Sequence, residues 1–150
     1  ADAYREIRKL REDDIPELLA MVGRSVRAAH LVPRDYVSIV EKAGDFLVLS
    51  LDDNVVGCVA LHRYEGSGEV ACLYVKQSHE GLGYGRELVK AAEQKARDAG
   101  LGRVFALTNR ASQFFDKLGY GEVGVERLPE VRRKRLEASG RQSVVLEKGV

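Results

Sequence analysis

Residues 68–98 constrain the possible folds of this chain most, because a strand pattern, a glycine-rich loop and a helix pattern follow one another without a break. Apolar side chains occupy both faces of residues 70–75, which predicts a buried central strand. Residues 86–98 have the apolar stripe of an amphipathic helix. The stripe consists of Leu88, Val89, Ala92 and Ala96, and the positions predicted to face water are Arg86, Glu87, Lys90, Glu93, Lys95 and Arg97.

Three glycines at alternate positions, Gly81, Gly83 and Gly85, connect this strand to this helix. Glycine allows backbone N–H groups to turn toward one concavity, at the positive end of the helix dipole. Such a concavity suits a phosphate or pyrophosphate. The spacing matches neither a Walker loop nor the G-x-G-x-x-G dinucleotide loop. The alternative is a tight strand-to-helix turn that holds no ligand.

The composition is that of one globular domain. The chain has 150 residues, of which 45% are hydrophobic and 31% are charged. The net charge of +1 argues against nucleic acid or a membrane surface as a partner. Cys58 and Cys72 lie in apolar strand patterns, which favours small buried thiols over a disulfide framework or a metal cluster. With no apolar signal core near the N-terminus, we expect a cytoplasmic location.

The remaining chain alternates between strand and helix patterns, which predicts an α+β fold. Its mixed central sheet should have about seven strands, with one splayed parallel pair and about four helices. Asp13 and Asp14 are predicted to cap the first helix. The predicted strands are 4–9, 45–51, 55–63, 68–76, 103–108, 122–126 and 144–147. The predicted helices are 15–28, 86–98, 109–117 and 130–138, with an additional short helix over 36–42. We expect a ligand cleft where the two parallel strands separate.

The segment from Leu73 to Leu88 resembles the acetyl-CoA loop of the GNAT acetyltransferase superfamily. The resemblance extends over nearly the whole chain and implies that loop amides hold the pyrophosphate of acetyl-CoA, the co-substrate. The positions that it assigns to acetyl-CoA are Cys72, Leu73, Tyr74, Val75, Glu80, Gly81, Leu82, Gly83, Tyr84, Gly85, Arg86 and Phe115. Two of them depart from the family pattern. Glu80 stands where members usually carry Arg or Gln, and Phe115 stands where many carry a tyrosine acid.

A narrower resemblance lies in the C-terminal half, where Leu128-Pro129-Glu130 is followed by Gly140-Arg141-Gln142-Ser143. This combination is similar to the acetyltransferase domain of bacterial N-acetylglutamate synthases. It implies acetyl transfer to the amine of L-glutamate, in arginine biosynthesis. Those synthases usually carry an amino-acid kinase-like domain as well. We expect a single acetyltransferase domain over 1–150, either a stand-alone enzyme or a fragment, without arginine inhibition through that domain. A homodimer remains open.

The same resemblance implies roles in a direct transfer within a ternary complex, which needs no protein nucleophile. Glu69 would be the general base, through a water molecule, and Thr108 would hydrogen-bond the departing thiolate. Backbone groups of Cys72 and Leu73 would contact the acetyl-pantetheine arm. The alternatives are an exposed carboxylate at a strand start for Glu69 and an ordinary strand residue for Thr108.

A pocket for glutamate should offer two cationic donors, because the substrate has two carboxylates. The positions that the resemblance assigns to the substrate are Arg34, Leu107, Arg141 and Ser143. The alternative for Arg34 is a solvated arginine near a helix cap. Residues 132–135 are predicted as a solvated basic helix face rather than a nucleic-acid patch. The scattered histidines predict no metal site.

Two other functions stay open. One is a GNAT enzyme that acts on another small amine or on a protein N-terminus. The other is a CoA-binding regulatory module without turnover, which Glu80 and Phe115 favour slightly.

Overall fold

The computed structural model describes residues 4–27 and 41–150, with side chains for 4–21 and 41–150. The chain divides into two compact units, one from 1–60 and 72–92 and the other from 61–71 and 93–150. The sequence position of Arg34 lies outside the described residues, as does most of the helix predicted for 36–42.

The described strands form one seven-stranded mixed sheet in the order β1-β2-β3-β4-β5-β7-β6. The strands are β1 Arg5–Lys9, β2 Phe46–Leu51, β3 Asn54–Tyr64, β4 Ser67–Val75, β5 Arg103–Thr108, β6 Gly121–Val123 and β7 Val144–Gly149. The described helices are α1 Ile15–Arg27, α2 Tyr84–Asp98, α3 Ser112–Lys117 and α4 Glu130–Ser139. β4 and β5 are parallel and the pair is connected by α2, as predicted.

The first unit is built on the hairpin of β2 and β3. Its turn residues Asp52 and Asp53 have φ of 48° and 68°, the left-handed conformation that tight hairpin turns require. The prediction of this hairpin is confirmed. Helix α1 packs its apolar side on the sheet, and the buried cluster comprises Ile15, Leu18, Met21, Phe46, Val48, Val55, Cys58 and Ala60.

Asp14 was predicted to cap α1, but its carboxylate turns back toward β1. One oxygen accepts a hydrogen bond from the Arg11 amide at 2.7 Å, and both oxygens accept from the Arg8 guanidinium at 2.7 and 2.9 Å. The Arg8 and Asp14 side chains are 10% and 9% exposed. The Arg8 hydrogen bond, helped by the Arg11 amide, lowers the pKa of Asp14 below its ordinary value. This pair ties β1 to the entry of α1.

We expect Asp14→Asn to reduce the free energy of unfolding at pH 7 by about 1.5–3 kcal/mol, the usual value of hydrogen bonds to a charged group. A carboxyl group with a lowered folded-state pKa stabilises the protein above its unfolded pKa of about 3.9, and that contribution disappears as the pH falls through the folded value. Urea titrations at pH 7 and pH 2.5 should therefore show a gap between wild type and variant that closes in acid. Asp13→Asn, at an exposed neighbouring carboxylate, is the control. A gap of equal size at both pH values would contradict the assignment.

In the second unit, β7 lies between β5 and β6. It pairs with β5 from Val144 to Gly149 and with β6 over three residues. β6 ends at Val123, earlier than the predicted Glu126, because a 3-10 turn occupies Val125–Arg127. The buried cluster of this unit comprises Phe105, Leu128, Leu136 and Val145.

Glu93 was predicted to face water on α2, and this prediction is wrong. Glu93 is only 2% exposed. The carboxylate accepts a hydrogen bond from the Tyr120 hydroxyl at 2.8 Å and from the Lys148 ammonium at 3.2 Å to each oxygen. Burial, followed by the hydrogen bond to Glu93, raises the pKa of Tyr120 well above its ordinary value. The predicted apolar stripe of α2 is otherwise confirmed, since its four members are fully buried.

Glu93→Ala should reduce the free energy of unfolding by about 3 kcal/mol, near the lower end of the cost of breaking a buried ion pair. The lower end applies because the Lys148 side chain is 28% exposed and can regain water. Chemical denaturation at pH 7 would measure the loss. Gln94→Ala, at an exposed position of the same helix, should change stability by less than about 0.5 kcal/mol. Equal losses in the two variants would show that helix propensity, not the buried cluster, is being measured.

Candidate functional site

The parallel ladder between β4 and β5 is three residues long in the described structure. It pairs Ser67 with Arg103, Gly68 with Val104, and Glu69 with Phe105. Both strands continue, β4 to Val75 and β5 to Thr108. Glu69 is therefore the last β4 residue in this ladder, which confirms the predicted splayed pair.

The second half of β4 departs from the regular buried strand that was predicted. Cys72 has φ of 54°, in the left-handed region that side chains other than Gly, Asn and Asp seldom adopt. Its carbonyl accepts a hydrogen bond from the Cys58 thiol at 3.3 Å. Residues 71–76 are half-buried rather than fully buried. Cys72 and Tyr74 still pack on the core of the first unit, so the predicted apolar face is retained.

The glycine loop leads directly into α2. Gly81 and Gly83 have φ of 79° and 84°, and a Cβ at either would meet no atom within 4 Å. Their role is therefore conformational rather than steric. The helix begins at Tyr84, two residues earlier than predicted, so Gly85 is a helical residue rather than part of the loop.

The first turn of α2 presents main-chain amides at the positive end of the helix. The Glu87 amide donates to the Gly83 carbonyl at 3.2 Å. The amides that precede it have no acceptor within the helix, as in any first turn. Leu82 is 62% exposed, and Glu80 and Arg86 are exposed as well. This arrangement can bind an anionic group through its backbone.

Glu69 is buried, 6% exposed, and paired with Arg132 of α4. Arg132 Nε donates to one carboxylate oxygen at 2.8 Å and Nη2 to the other at 3.4 Å. Burying a carboxylate costs several kcal/mol unless a cation and hydrogen bonds compensate it. The prediction of residues 132–135 as a solvated face is thus wrong for Arg132, whose side chain is 20% exposed.

Arg135, on the next turn of α4, donates to the hydroxyl of Tyr64. The Tyr64 ring is 5.9 Å from the Phe105 ring, and Phe105 is the ladder partner of Glu69. Burial, followed by the charge of Glu69, raises the pKa of Tyr64. A sequence signal for this face existed, because Leu128, Arg132 and Leu136 are four residues apart and both leucines are buried.

Thr108 ends β5, and its hydroxyl oxygen accepts hydrogen bonds from the amides of Arg110 and Ala111 at 3.2 and 2.9 Å. These bonds shape the turn into α3 and leave the hydroxyl proton as a donor. Thr108 pairs with Val144, the residue after Ser143, and Leu107 pairs with Val145. The structure therefore brings Leu107, Thr108 and Ser143 close together.

Arg141 follows the end of α4, where Gly140 has φ of 68°. Its amide donates to the Ser139 hydroxyl at 3.2 Å, and Arg141 is exposed. Phe115 is 5% exposed, with its ring in edge-on contact with those of Phe114 and Tyr120 at 5.2 and 5.1 Å. Among the described residues, no group of three His, Cys, Asp or Glu side chains is placed to hold a metal ion. No helix in the described part of the chain is long and apolar enough to cross a membrane.

The match to known families agrees with this geometry. The model of the acetyltransferase (GNAT) family matches residues 6–120, which include β4, the glycine loop, α2 and β5. The chain belongs to the GNAT acetyltransferase family. The predicted GNAT fold is confirmed.

Similar proteins share more than the GNAT fold. The amino-acid acetyltransferase of Ralstonia nicotianae is 35% identical over 97% of this chain and 34% of its own length. That of Neisseria meningitidis serogroup A is 32% identical over 97% of this chain and 34% of its own length. A crystal structure of N-acetylglutamate synthase from Neisseria gonorrhoeae, complexed with coenzyme A and N-acetyl-glutamate, is 31% identical with a TM-score of 0.94. The match covers 99% of this chain and 36% of the synthase chain. The chain thus spans about a third of the length of the curated relatives.

Proposed function

We propose that this chain is an acetyl-CoA-dependent amino-acid N-acetyltransferase that acetylates the amine of L-glutamate. The observation that carries the proposal is the match of 99% of the chain, at a TM-score of 0.94, to an N-acetylglutamate synthase complexed with coenzyme A and N-acetyl-glutamate. The proposal treats residues 1–150 as one acetyltransferase domain. It includes a cytoplasmic location and small-molecule partners, without nucleic acid or membrane, and leaves a homodimer open.

The glycine loop and the first turn of α2 supply what a pyrophosphate needs. The left-handed conformations of Gly81 and Gly83 and the first-turn amides from Tyr84 onward offer several N–H donors at a helix N-terminus. In this proposal Cys72, Leu73, Tyr74 and Val75 contact the pantetheine arm through their backbone. The proposal also assigns the position of Phe115 to the coenzyme, although this residue is only 5% exposed and its side chain cannot donate a proton.

The transfer itself needs a base for the substrate ammonium and a donor for the departing thiolate. Glu69 supplies the base through a water molecule, since each carboxylate oxygen bonded to Arg132 keeps a second lone pair. The deprotonated amine attacks the thioester carbonyl and forms the carbon–nitrogen bond, the carbon–sulfur bond breaks, and the proton that the attacking nitrogen then loses passes to the departing thiolate, so that coenzyme A leaves as a thiol. Thr108 donates its hydroxyl hydrogen bond to that sulfur.

The substrate carboxylates would be held by arginine. Arg141 and Ser143 would bind one carboxylate and Arg34 the other, with Leu107 alongside the substrate. Supporting this role for Arg141, it is exposed and follows a left-handed glycine that ends α4. Ser143 lies beside the strand that pairs with Thr108.

Thiol release from acetyl-CoA, measured with a panel of amines, tests the function. We expect release that depends on glutamate, and heat on titrating coenzyme A in a calorimeter. Turnover with another amine but not with glutamate would contradict glutamate as the substrate and would still support acetyl transfer as the reaction. Coenzyme A binding without turnover on any amine would contradict the enzyme and support a regulatory module.

Arg141→Met should raise the KM for glutamate, because a hydrogen bond between charged groups is removed. A loss of about 1.5–3 kcal/mol corresponds to about tenfold to a hundredfold in affinity. The dissociation constant of coenzyme A should remain unchanged. Steady-state kinetics at saturating acetyl-CoA would measure the effect, with Lys134→Met, an exposed cation on α4, as the control. An unchanged KM would exclude Arg141 from the pocket.

A further inference from the structure

We infer that Arg132 is a positioning residue for the base Glu69 in the proposed acetyl transfer, and this inference rests on the proposed function. The two residues are 63 positions apart in the chain, and the fold brings them into a two-point contact. Nothing in the local sequence requires this pairing. Among the described residues, Arg132 is the cation that forms hydrogen bonds with Glu69.

The geometry of the contact fixes the carboxylate in one orientation. Nε and Nη2 lie on one edge of the guanidinium, and they bond different oxygens of Glu69 at 2.8 and 3.4 Å. A two-point contact prevents rotation of the carboxylate plane, which a single hydrogen bond would permit. The lone pairs on the opposite side of the carboxylate are thereby aimed in a constant direction. A base that acts through water depends on this direction, because a misplacement of about 1 Å can cost about a hundredfold in rate.

Burial makes the contact necessary. Glu69 is 6% exposed, so bulk water does not solvate its charge. A neighbouring cation with matching hydrogen bonds compensates the cost of burying a carboxylate. Arginine suits this position because the planar edge of its guanidinium matches the two carboxylate oxygens.

Helix α4 is held in place by contacts that do not involve Arg132. Leu128 and Leu136 are buried in the core of the second unit, at 6% and 8% exposure, with Phe105 and Val145. Arg135 donates to the Tyr64 hydroxyl and lies over the Tyr64 ring, 5.9 Å from its centroid. Removing the Arg132 guanidinium leaves the buried Glu69 carboxylate unpaired and should lower the overall stability, but these contacts should keep the helix docked in the folded protein.

The test compares Arg132→Met and Arg132→Lys with Glu69→Gln and with the double variant. We expect Arg132→Met to lower kcat by about a hundredfold, with KM for glutamate and for acetyl-CoA within about threefold of wild type. Arg132→Lys should recover part of kcat, because it restores the charge without the two-point contact. The double variant should be no slower than Glu69→Gln alone, because a positioning residue has no effect once its base is gone.

Arg133→Met is the matched control. Arg133 is the next residue on α4, and its ion pair with Glu137 lies at the surface. The kcat of Arg133→Met should equal that of wild type. Thermal unfolding and coenzyme A calorimetry on each variant check that the fold and the acetyl-CoA site are intact.

The possible outcomes separate this inference from the proposed function. A wild-type protein without turnover on any amine overturns both. With an active wild type, an unchanged kcat in Arg132→Met overturns the inference alone. A raised KM for glutamate with unchanged kcat also overturns it, since Arg132 would then contact the substrate. Additive losses in the double variant would overturn it as well.

Discussion

The early end of the parallel ladder between β4 and β5 is the constraint on which the candidate site depends. In the described structure, only three residue pairs join β4 to β5, the strands that α2 connects. Beyond these pairs, the residues of each strand contact other parts of the structure. β5 has β7 on its other edge along its whole length. β4 has a left-handed backbone conformation at Cys72, three residues after the ladder ends. Glu69 thus occupies the last regular position before the strands diverge.

Buried charge is the second organising feature, and it joins segments that are far apart in sequence. Among the residues whose side chains are described, three carboxylates, Asp14, Glu69 and Glu93, are less than one-tenth exposed, and each contacts a cation. An uncompensated buried charge would cost several kcal/mol, which is comparable with the whole stability of a domain. These pairs therefore specify where β1, α4 and β7 must lie. Glu93 accepts from Tyr120 and Lys148 together, whereas the described hydrogen bonds of Glu69 leave lone pairs for a water molecule.

The elements that rest on local pattern could be predicted from the sequence. The stripe of α2, the hairpin at Asp52 and Asp53 and the seven strands follow from side-chain period and turn chemistry, which act over a few residues. The pairing of the buried charges could not be predicted, because a polar residue on an amphipathic helix is ordinarily exposed and its partner lies far away in the sequence. Glu93 and Arg132 are exceptions whose partners are 55 and 63 residues distant. The left-handed backbone conformation of Cys72 could not be predicted from the sequence, since cysteine is not a residue typical of turns.

Glu80, which departs from the family pattern, lies next to the glycine loop. The repulsion between a carboxylate and a phosphate charge 4 Å away is about 1 kcal/mol in bulk water and about 4 kcal/mol near a protein surface. Glu80 is exposed, and the 3-10 turn before it ends with extended backbone at Glu80 itself. Its side chain can therefore remain in the high-dielectric solvent, where salt screens it further. The amides of the glycine loop and the first turn of α2 do not depend on this side chain. In the proposed function, Glu80 consequently lowers the affinity for acetyl-CoA modestly and leaves the binding mode unchanged.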